Sequence, residues 1–418
     1  MKFHSDHRYQ SAAISATWHF SCAAARAFSV LVDPSSWNSK IAPRVTASTA
    51  SSRVVYSFDG EIRVTAEITS WNNELCGLEL VIEGLRDEAT RVNQETYWNE
   101  VLTVLANRLS GPEIKVASSP SKVNIFFAVG PLLKNGFHEV ASCYQALSLR
   151  ERVAVEVSGS FQIAFAGPFA QSSQSLVPKD KSNLVYKAGL ELQAKGANLN
   201  LDLISFWINK SVPIAGGMAG GSADAAAALV ALNELSKAGL ESDLELLAAK
   251  LGADVPFALR GGTAIGVGRG EKLSAINNHS VLHWVMTPSS LGLSTPDVYH
   301  KLDLMRVETG IDVTKIDKPE VPDELIDALV SGKPELVAEL MQNDLEIAAL
   351  ELRPELADTI ELGRKAGALR SMVSGSGPTI AHLAKDRLHA EQIANRLGVA
   401  GAPSIATYTS SSGTYLES

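Results

Sequence analysis

At 418 residues the chain is longer than one ordinary core accommodates, so two or three domains are expected. Its composition, 45% hydrophobic and 20% charged, is that of a globular protein, and a net charge of −9 excludes a general nucleic-acid binder, which needs a basic field. Cys22, Cys76 and Cys143 are widely separated and match no zinc spacing, which points to reduced thiols and a cytoplasmic protein. Residues 12–25 are fairly apolar and end in alanines, as a signal peptide does. Thr17, His19 and Ser21 interrupt them, so a strand followed by a helix is expected instead of an export signal. No apolar run reaches the roughly eighteen residues that span a bilayer, so no membrane span is expected.

Residues 8–110 read as one unit. Alternating apolar positions at 12–20, 54–58, 61–68 and 76–82 predict antiparallel strands. A short helix over 23–31 closes on the turn Asp33-Pro34-Ser35-Ser36-Trp37. Over 91–109 the period becomes helical, with Tyr97, Val101, Leu102, Leu105 and Leu109 on one stripe. A curved sheet closed by a long final helix resembles the START/SRPBCC helix-grip domains, which imply either an apolar ligand or a protein partner. The other reading is that Trp18, Trp37, Trp71 and Trp98 fill a small core. Ser110-Gly111-Pro112 breaks the helix and marks a boundary, giving a first domain over 1–111.

Residues 114–127 read as a strand pair interrupted at Pro120. Lys122 and Asn124, two apart, share one side of an otherwise apolar strand, the pattern of a lined pocket. The loop Lys134-Asn135-Gly136-Phe137-His138-Glu139 sets a flat ring beside an imidazole; a core Phe and a surface His are the plainer reading. Strands follow at 140–149 and 152–157, a helix from Asn183 to about 196, and a strand at 199–208.

The stretch 213–229 then opens with Pro213, runs through Gly216, Gly217, Gly220 and Gly221 to Ser222, and continues as an alanine-rich helix. Glycines let amides turn inward and a ligand approach closely, and amides at a helix N-terminus make an anion site, most often for phosphate. The spacing is neither that of a Walker loop nor a convincing dinucleotide fingerprint. Were a positive φ required at Ala219, its side chain would be strained there, as a glycine would not be. Helices to about 237 and over 242–251 lead to Leu251-Gly252-Ala253-Asp254-Val255-Pro256-Phe257, expected as a helix-to-strand turn. An Asp there is usually a helix cap, and the residues alone leave that open. A hairpin over 261–271 follows.

From 281 strand and helix signals alternate: a strand at 283–286, helices at 296–304, 324–330, 335–341 and 354–366, a strand at 380–383 and a helix at 387–397. Between them lies a second glycine loop, Met372-Val373-Ser374-Gly375-Ser376-Gly377-Pro378-Thr379. The Ser/Thr-rich tail 409–418 is expected to fray.

Three motifs in this order, Pro120-Ser121-Lys122-Val123-Asn124, the 213–224 loop and the Ser374–Gly377 loop, resemble the GHMP kinase signature. The resemblance implies a two-lobed kinase fold over 112–275 and 276–418, so the whole chain is expected to be α+β, a small helix-grip-like domain followed by that fold. It implies ATP and Mg2+ as cofactors, with Pro213, Ala215, Gly216, Gly217, Met218, Ala219, Gly220, Gly221 and Ser222 around the ATP phosphates. Ser222 would also meet the metal, and Asn183 would lie near the adenine. Gly136–Glu139, Leu251–Phe257 and Asn343-Asp344-Leu345-Glu346 resemble the branch that phosphorylates the 2-hydroxyl of a cytidyl-linked methylerythritol in isoprenoid biosynthesis. By that likeness Asp254 is the catalytic base and Lys122 its charged neighbour. Asn124, Phe137, His138 and Thr295 contact the substrate, Phe137 standing where tyrosine is usual. Homoserine and mevalonate kinases, or a binding protein that keeps the fold, are the alternatives. A cytosine clamp at Gly136–Glu139 has no use in the former, and a binder need not retain Lys122, Asp254 and Ser222.

Overall fold

The computed structural model describes residues 4–5, 13–20, 22, 24–34, 43–58, 62–71, 76–109, 114–214, 216–278, 280–289 and 292–417. Ser35, Ser36 and Trp37 of the expected turn, the boundary residues Ser110, Gly111 and Pro112, and Ala215 of the glycine loop lie outside them.

The front domain is an antiparallel sheet. Its strands run spatially His4–Ser5, Ile14–Phe20, Cys76–Glu83, Ile62–Ser70, Arg53–Phe58 and Arg44–Thr49. Ile14–Phe20 alternates buried and half-buried residues, as a sheet with one covered face requires. The cover is the helix Glu88–Arg108, capped by Asp87, whose carboxylate accepts from the Thr90 amide at 2.7 Å. Trp98, Val101, Leu102, Leu105 and Leu109 are buried against the sheet beside Tyr56 and Phe58. The strands Arg44–Thr49 and His4–Ser5 were not expected; the former has no buried side to show periodicity.

The second unit is built on two long antiparallel strands, Ile114–Leu132 and His138–Val157. Sequence had divided each in two. Pro120 does not interrupt its strand, because the register shifts between Pro120 and Lys122, and a bulge is where a central strand tolerates the missing N–H. Thr263–Gly268 and Lys272–Ile276 extend the sheet on one side, Ile204–Asn209 and Gln162–Ala166 on the other. Residues 201–203 form a single helical turn instead of the start of a strand. Gln162–Ala166 and the helix Ala170–Leu176 were not anticipated. One face packs on the helices Leu184–Ala194, Gly220–Ser236, Leu244–Leu251 and Val255–Arg260, with a floor of buried alanines. Asp254 therefore sits in a helix-to-helix turn, not a helix-to-strand one.

A four-stranded sheet, Arg370–Val373, Ile380–Ala384, His283–Thr287 and Ile405–Tyr408, carries the remainder. Its helices Thr295–Glu308, Asp323–Ser331, Pro334–Leu340, Glu355–Lys365 and Arg387–Val399 match the expected ones, and Glu346–Leu352 is additional. Val123, Ile125 and Leu147 share a core with Trp284, Met372 and Leu383, so the two lobes are welded along the long strands.

The tail does not fray. Arg150 donates to the Ser412 and Gly413 carbonyls, Tyr415–Leu416 pairs with Ala117 and Ser118, and Glu417 is buried against Arg152. Its order comes from partners distant in sequence, which composition does not reveal. Among the described residues no helix is long and apolar enough to cross a membrane.

Candidate active site

The glycine-rich loop ends in the helix Gly220–Ser236, whose alanines let it lie close to both long strands. Gly217 is left-handed at φ +70, and a Cβ there would strike the Ser374 carbonyl at 2.4 Å. One on Gly216 would strike Thr379 Oγ1 at 2.6 Å. The two glycine loops are thus pressed together, and bare backbone is what allows it. Ala219 at the helix N-cap has φ 59 and ψ 31, so an alanine does occupy the left-handed position. Met218 buries its side chain in the shared core and offers only backbone, its carbonyl accepting from the Lys122 amide at 3.1 Å.

These loops wall a cleft of about 490 Å³ that takes in Pro213, Gly216, Gly217, Ala219, Gly220, Gly221 and Ser222, together with Lys122, Asn124, Asp254 and Thr295. Lys122 is buried and donates to Asn124 Oδ1, and Asn124 in turn donates to Ser142 Oγ at 2.7 Å. Spacing two along a strand did place both on one side. The left-handed Gly375 of the second loop passes directly over them; a Cβ there would lie 3.1 Å from both side chains.

Asp254 occupies the cap position of Val255–Arg260, yet its carboxylate makes no cap bond. Among the described residues it has no ion-pair partner either, so it faces the cleft uncommitted. Its charge is felt by three neighbours. Burial pushes the Lys122 ammonium down, with Asp254 opposing; burial and then Asp254 push the phenols of Tyr144 and Tyr299 up. Lys122 and Asp254 therefore meet through space across the cleft, without a closed ion pair.

Below the loop lies a cluster that the sequence did not flag as functional. Lys210 Nζ contacts Glu151 Oε1 at 2.6 Å and Asp224 Oδ2 at 2.8 Å, and all three are buried. Burial, then the Asp224 charge, push the Glu151 carboxyl up to about 8, with the Lys210 ammonium pulling the other way. Glu151 Oε2 accepts from the Ser211 amide at 2.9 Å, and Gly220 is close enough that a Cβ would lie 3.1 Å from Glu151 Oε1. The cluster anchors both ends of the loop. Three charged residues far apart in sequence carry no local pattern that would have revealed it.

Phe137 is outside the described cleft wall and exposed (53%), with the guanidinium of Arg269, which does line the cleft, 5.3 Å over its ring. The His138 ring is buried, bonds Asp303 at 3.0 Å and stacks on Tyr299 at 5.1 Å, so its side chain faces the protein and not the cleft. Tyr299 and Thr295, i and i+4 on one helix, both line the cleft, and Thr295 bonds Ser376 at 2.8 Å. Sequence missed Tyr299, a tyrosine set among the aliphatic and charged residues of its helix. Asn183 lies apart from the described cleft wall; its side chain caps Leu184–Ala194 through the Val185 amide and donates to the Pro178 carbonyl.

Family models for the GHMP kinases N terminal domain and the GHMP kinases C terminal match residues 183–262 and 325–401. A 4-diphosphocytidyl-2-C-methyl-D-erythritol kinase of Nocardia farcinica is 45% identical over 295 residues, 69% of this chain and 91% of its own. One of Leifsonia xyli subsp. xyli is 46% identical over 271 residues, 64% of this chain and 87% of its own. A crystal structure of 4-(cytidine 5'-diphospho)-2C-methyl-D-erythritol kinase superposes with a TM-score of 0.55 at 31% identity, covering 71% of this chain and 99% of its own. A homoserine kinase from Cytophaga hutchinsonii shares the fold at 19% identity and a TM-score of 0.55, with 73% and 98% covered.

Proposed function

Given that the chain belongs to the 4-diphosphocytidyl-2-C-methyl-D-erythritol kinases of the GHMP superfamily, we propose that Asp254 is its catalytic base and Lys122 the cation that orients it. The reaction transfers the γ-phosphoryl group of ATP to the 2-hydroxyl of 4-diphosphocytidyl-2-C-methyl-D-erythritol, a step of isoprenoid biosynthesis. The observation that carries the assignment of roles is the shared cleft, with the phosphate loop on one wall and an uncommitted carboxylate across from it.

Phosphoryl transfer asks for alignment and charge neutralisation more than for covalent help. The amides of 216–222 and the N-terminus of Gly220–Ser236 receive the phosphates, where they offset the charge that builds on the transferred group. The 2-hydroxyl is tertiary and a poor nucleophile. As its oxygen bonds phosphorus and the bond to ADP breaks, its proton passes to the Asp254 carboxylate. Lys122, held toward Asn124, stabilises that carboxylate as an anion and fixes the hydroxyl's approach. The Ser222 hydroxyl in the cleft wall fits a Mg2+ carried mainly by nucleotide oxygens, since this ion keeps few protein ligands. The metal would supply charge neutralisation between the phosphates.

The exposed Phe137 face supports stacking of the cytosine, with Thr295 and Asn124 toward the polyol and Tyr299 as a second ring. His138, its imidazole engaged by Asp303, has only its backbone to offer the base. Pro213 remains at the nucleotide end of the cleft, whereas Asn183 serves the adenine through the helix it caps. Work on ATP and a nucleotide-linked substrate, with three free cysteines, fits the cytoplasm. For the front domain the interior supports a packed core over a ligand chamber: Tyr56, Phe58, Tyr97 and Trp98 meet ring to ring between helix and sheet.

The test is Asp254→Asn. It is expected to cut kcat by roughly a hundredfold to ten-thousandfold while ATP binding persists. Unchanged turnover would remove the base assignment.

A further inference from the structure

The cleft has to accommodate two polyanions at once, the triphosphate of ATP and the diphosphate that links cytidine to the polyol. The loop amides and the helix N-terminus serve the first. For the second, three cationic side chains line the described cleft: Lys122, Lys210 and Arg269. Lys210 is spent on Glu151 and Asp224. Lys122 is spent on Asn124 and on facing Asp254 at the reacting hydroxyl. Arg269, unlike Lys210, makes no ion pair among the described residues, and unlike Lys122 it donates to no side chain there.

Its placement is also built. Arg269 sits at the tip of the hairpin Thr263–Gly268 to Lys272–Ile276, between Gly268 and Gly270, whose φ values of +77 and +105 set the turn. The Glu271 carboxylate is spent on the backbone, accepting from the Arg269 amide at 2.7 Å, which leaves the guanidinium free. Phe137 supports one guanidinium face. Tyr144 measures the span to the chemistry: its hydroxyl lies 2.2 Å from where a Gly270 Cβ would be, and its ring is 6.0 Å from Lys122 Nζ. One tyrosine ring thus separates the arginine's hairpin tip from the reacting end.

Resting on the substrate reading above, we propose that Arg269 is the diphosphate clamp for the cytidyl substrate and a determinant of its specificity. In that substrate the diphosphate necessarily lies between the base, at Phe137, and the 2-hydroxyl, at Asp254. A planar guanidinium takes two phosphate oxygens at once, and the Phe137 ring holds its plane against the site. Without it the cleft meets the diphosphate with no uncommitted cation, while ATP is unaffected.

Turnover kinetics of the full chain test this, with CDP and cytidine as inhibitors competing with the cytidyl substrate. Arg269→Gln is expected to raise KM for the cytidyl substrate and Ki for CDP by about tenfold to a hundredfold, the scale of hydrogen bonds to a charged group. KM for ATP and Ki for cytidine should stay as in the unaltered chain, and Arg269→Lys should recover part of the loss. A purely structural role, holding Phe137 in place, would weaken CDP and cytidine equally, and that result overturns the clamp. So does an Arg269→Gln enzyme with unaltered CDP inhibition. Should CDP fail to compete with the cytidyl substrate in the unaltered chain, the substrate reading falls and the clamp with it. The inhibition pattern of the unaltered chain therefore separates the two failures.

Discussion

At Ala219 the backbone takes a left-handed conformation, φ 59, that an L side chain with a Cβ enters only against steric resistance. The strain sits at the N-cap of Gly220–Ser236, where the glycine-rich loop passes into the first helical turn. Replacement by glycine relieves it and forfeits part of the gain through the more flexible unfolded chain. Ala219→Gly is expected to raise stability by about 1 kcal/mol, read as a higher urea midpoint at constant m-value. A lower midpoint would mean that the alanine methyl makes compensating contacts. Asp254 is legible on the same scale. An aspartate at a cap position whose carboxylate caps nothing is free for chemistry, but that freedom appears only once the turn is seen to join two helices.

Between elements, the decisive contact is the buried cluster of Glu151, Lys210 and Asp224. It ties a long strand, the residue entering the loop and the start of the loop helix into one unit. Removing one partner from a buried charge cluster strands the others, and this costs more than the cluster contributes when intact. Lys210→Met is expected to lose about 3–5 kcal/mol in equilibrium unfolding. A loss below about 1 kcal/mol would mean that water already reaches the carboxylates. The tail obeys the same rule. Tyr415–Leu416 is too short, in a tail too rich in Ser and Thr, to announce a strand, and becomes one because Ala117 and Ser118 offer a sheet edge and Arg150 and Arg152 offer partners.

 
The Arg152 guanidinium closes that edge by pairing with Glu417 at 2.9 Å.

On the scale of the whole molecule, the front domain covers the outer face of the kinase sheet. Trp71 packs on Val116, Ala154, Ala166 and Trp207, residues whose strand neighbours Ala117, Val153, Val155, Phe206 and Ile208 point to the helical side. Beside this seam His19 of the front domain lies 3.4 Å from Glu417, which also pairs with Arg152. Burial pushes the His19 imidazole from 6.5 down to about 4, although Glu417 pulls the other way. Between those values the unfolded chain binds a proton that the folded chain refuses, so this contribution is complete above pH 6.5 and is lost as pH falls toward 4. The loss runs at up to about 1.4 kcal/mol per pH unit. His19→Gln should therefore flatten the fall in stability measured by urea unfolding between about pH 6.5 and pH 4.5. His382, buried and likewise pushed down to about 4, keeps its own share of the slope in that variant. Identical slopes in the two proteins would show that His19 is open to water.

The local motifs determined a great deal by themselves. The glycine loop feeding an alanine helix, the Lys122 and Asn124 pair two apart on a strand, and the second glycine loop each encode their geometry within a few residues, because φ freedom and strand period are local properties. Tertiary structure alone decided what meets across the fold: that Gly375 passes over Lys122, that His138 turns to Asp303, that Tyr299 and Arg269 enter the cleft, and that the polar tail becomes a strand. Those are contacts between residues far apart in the chain, fixed by packing and burial, and no spacing along the sequence carries them.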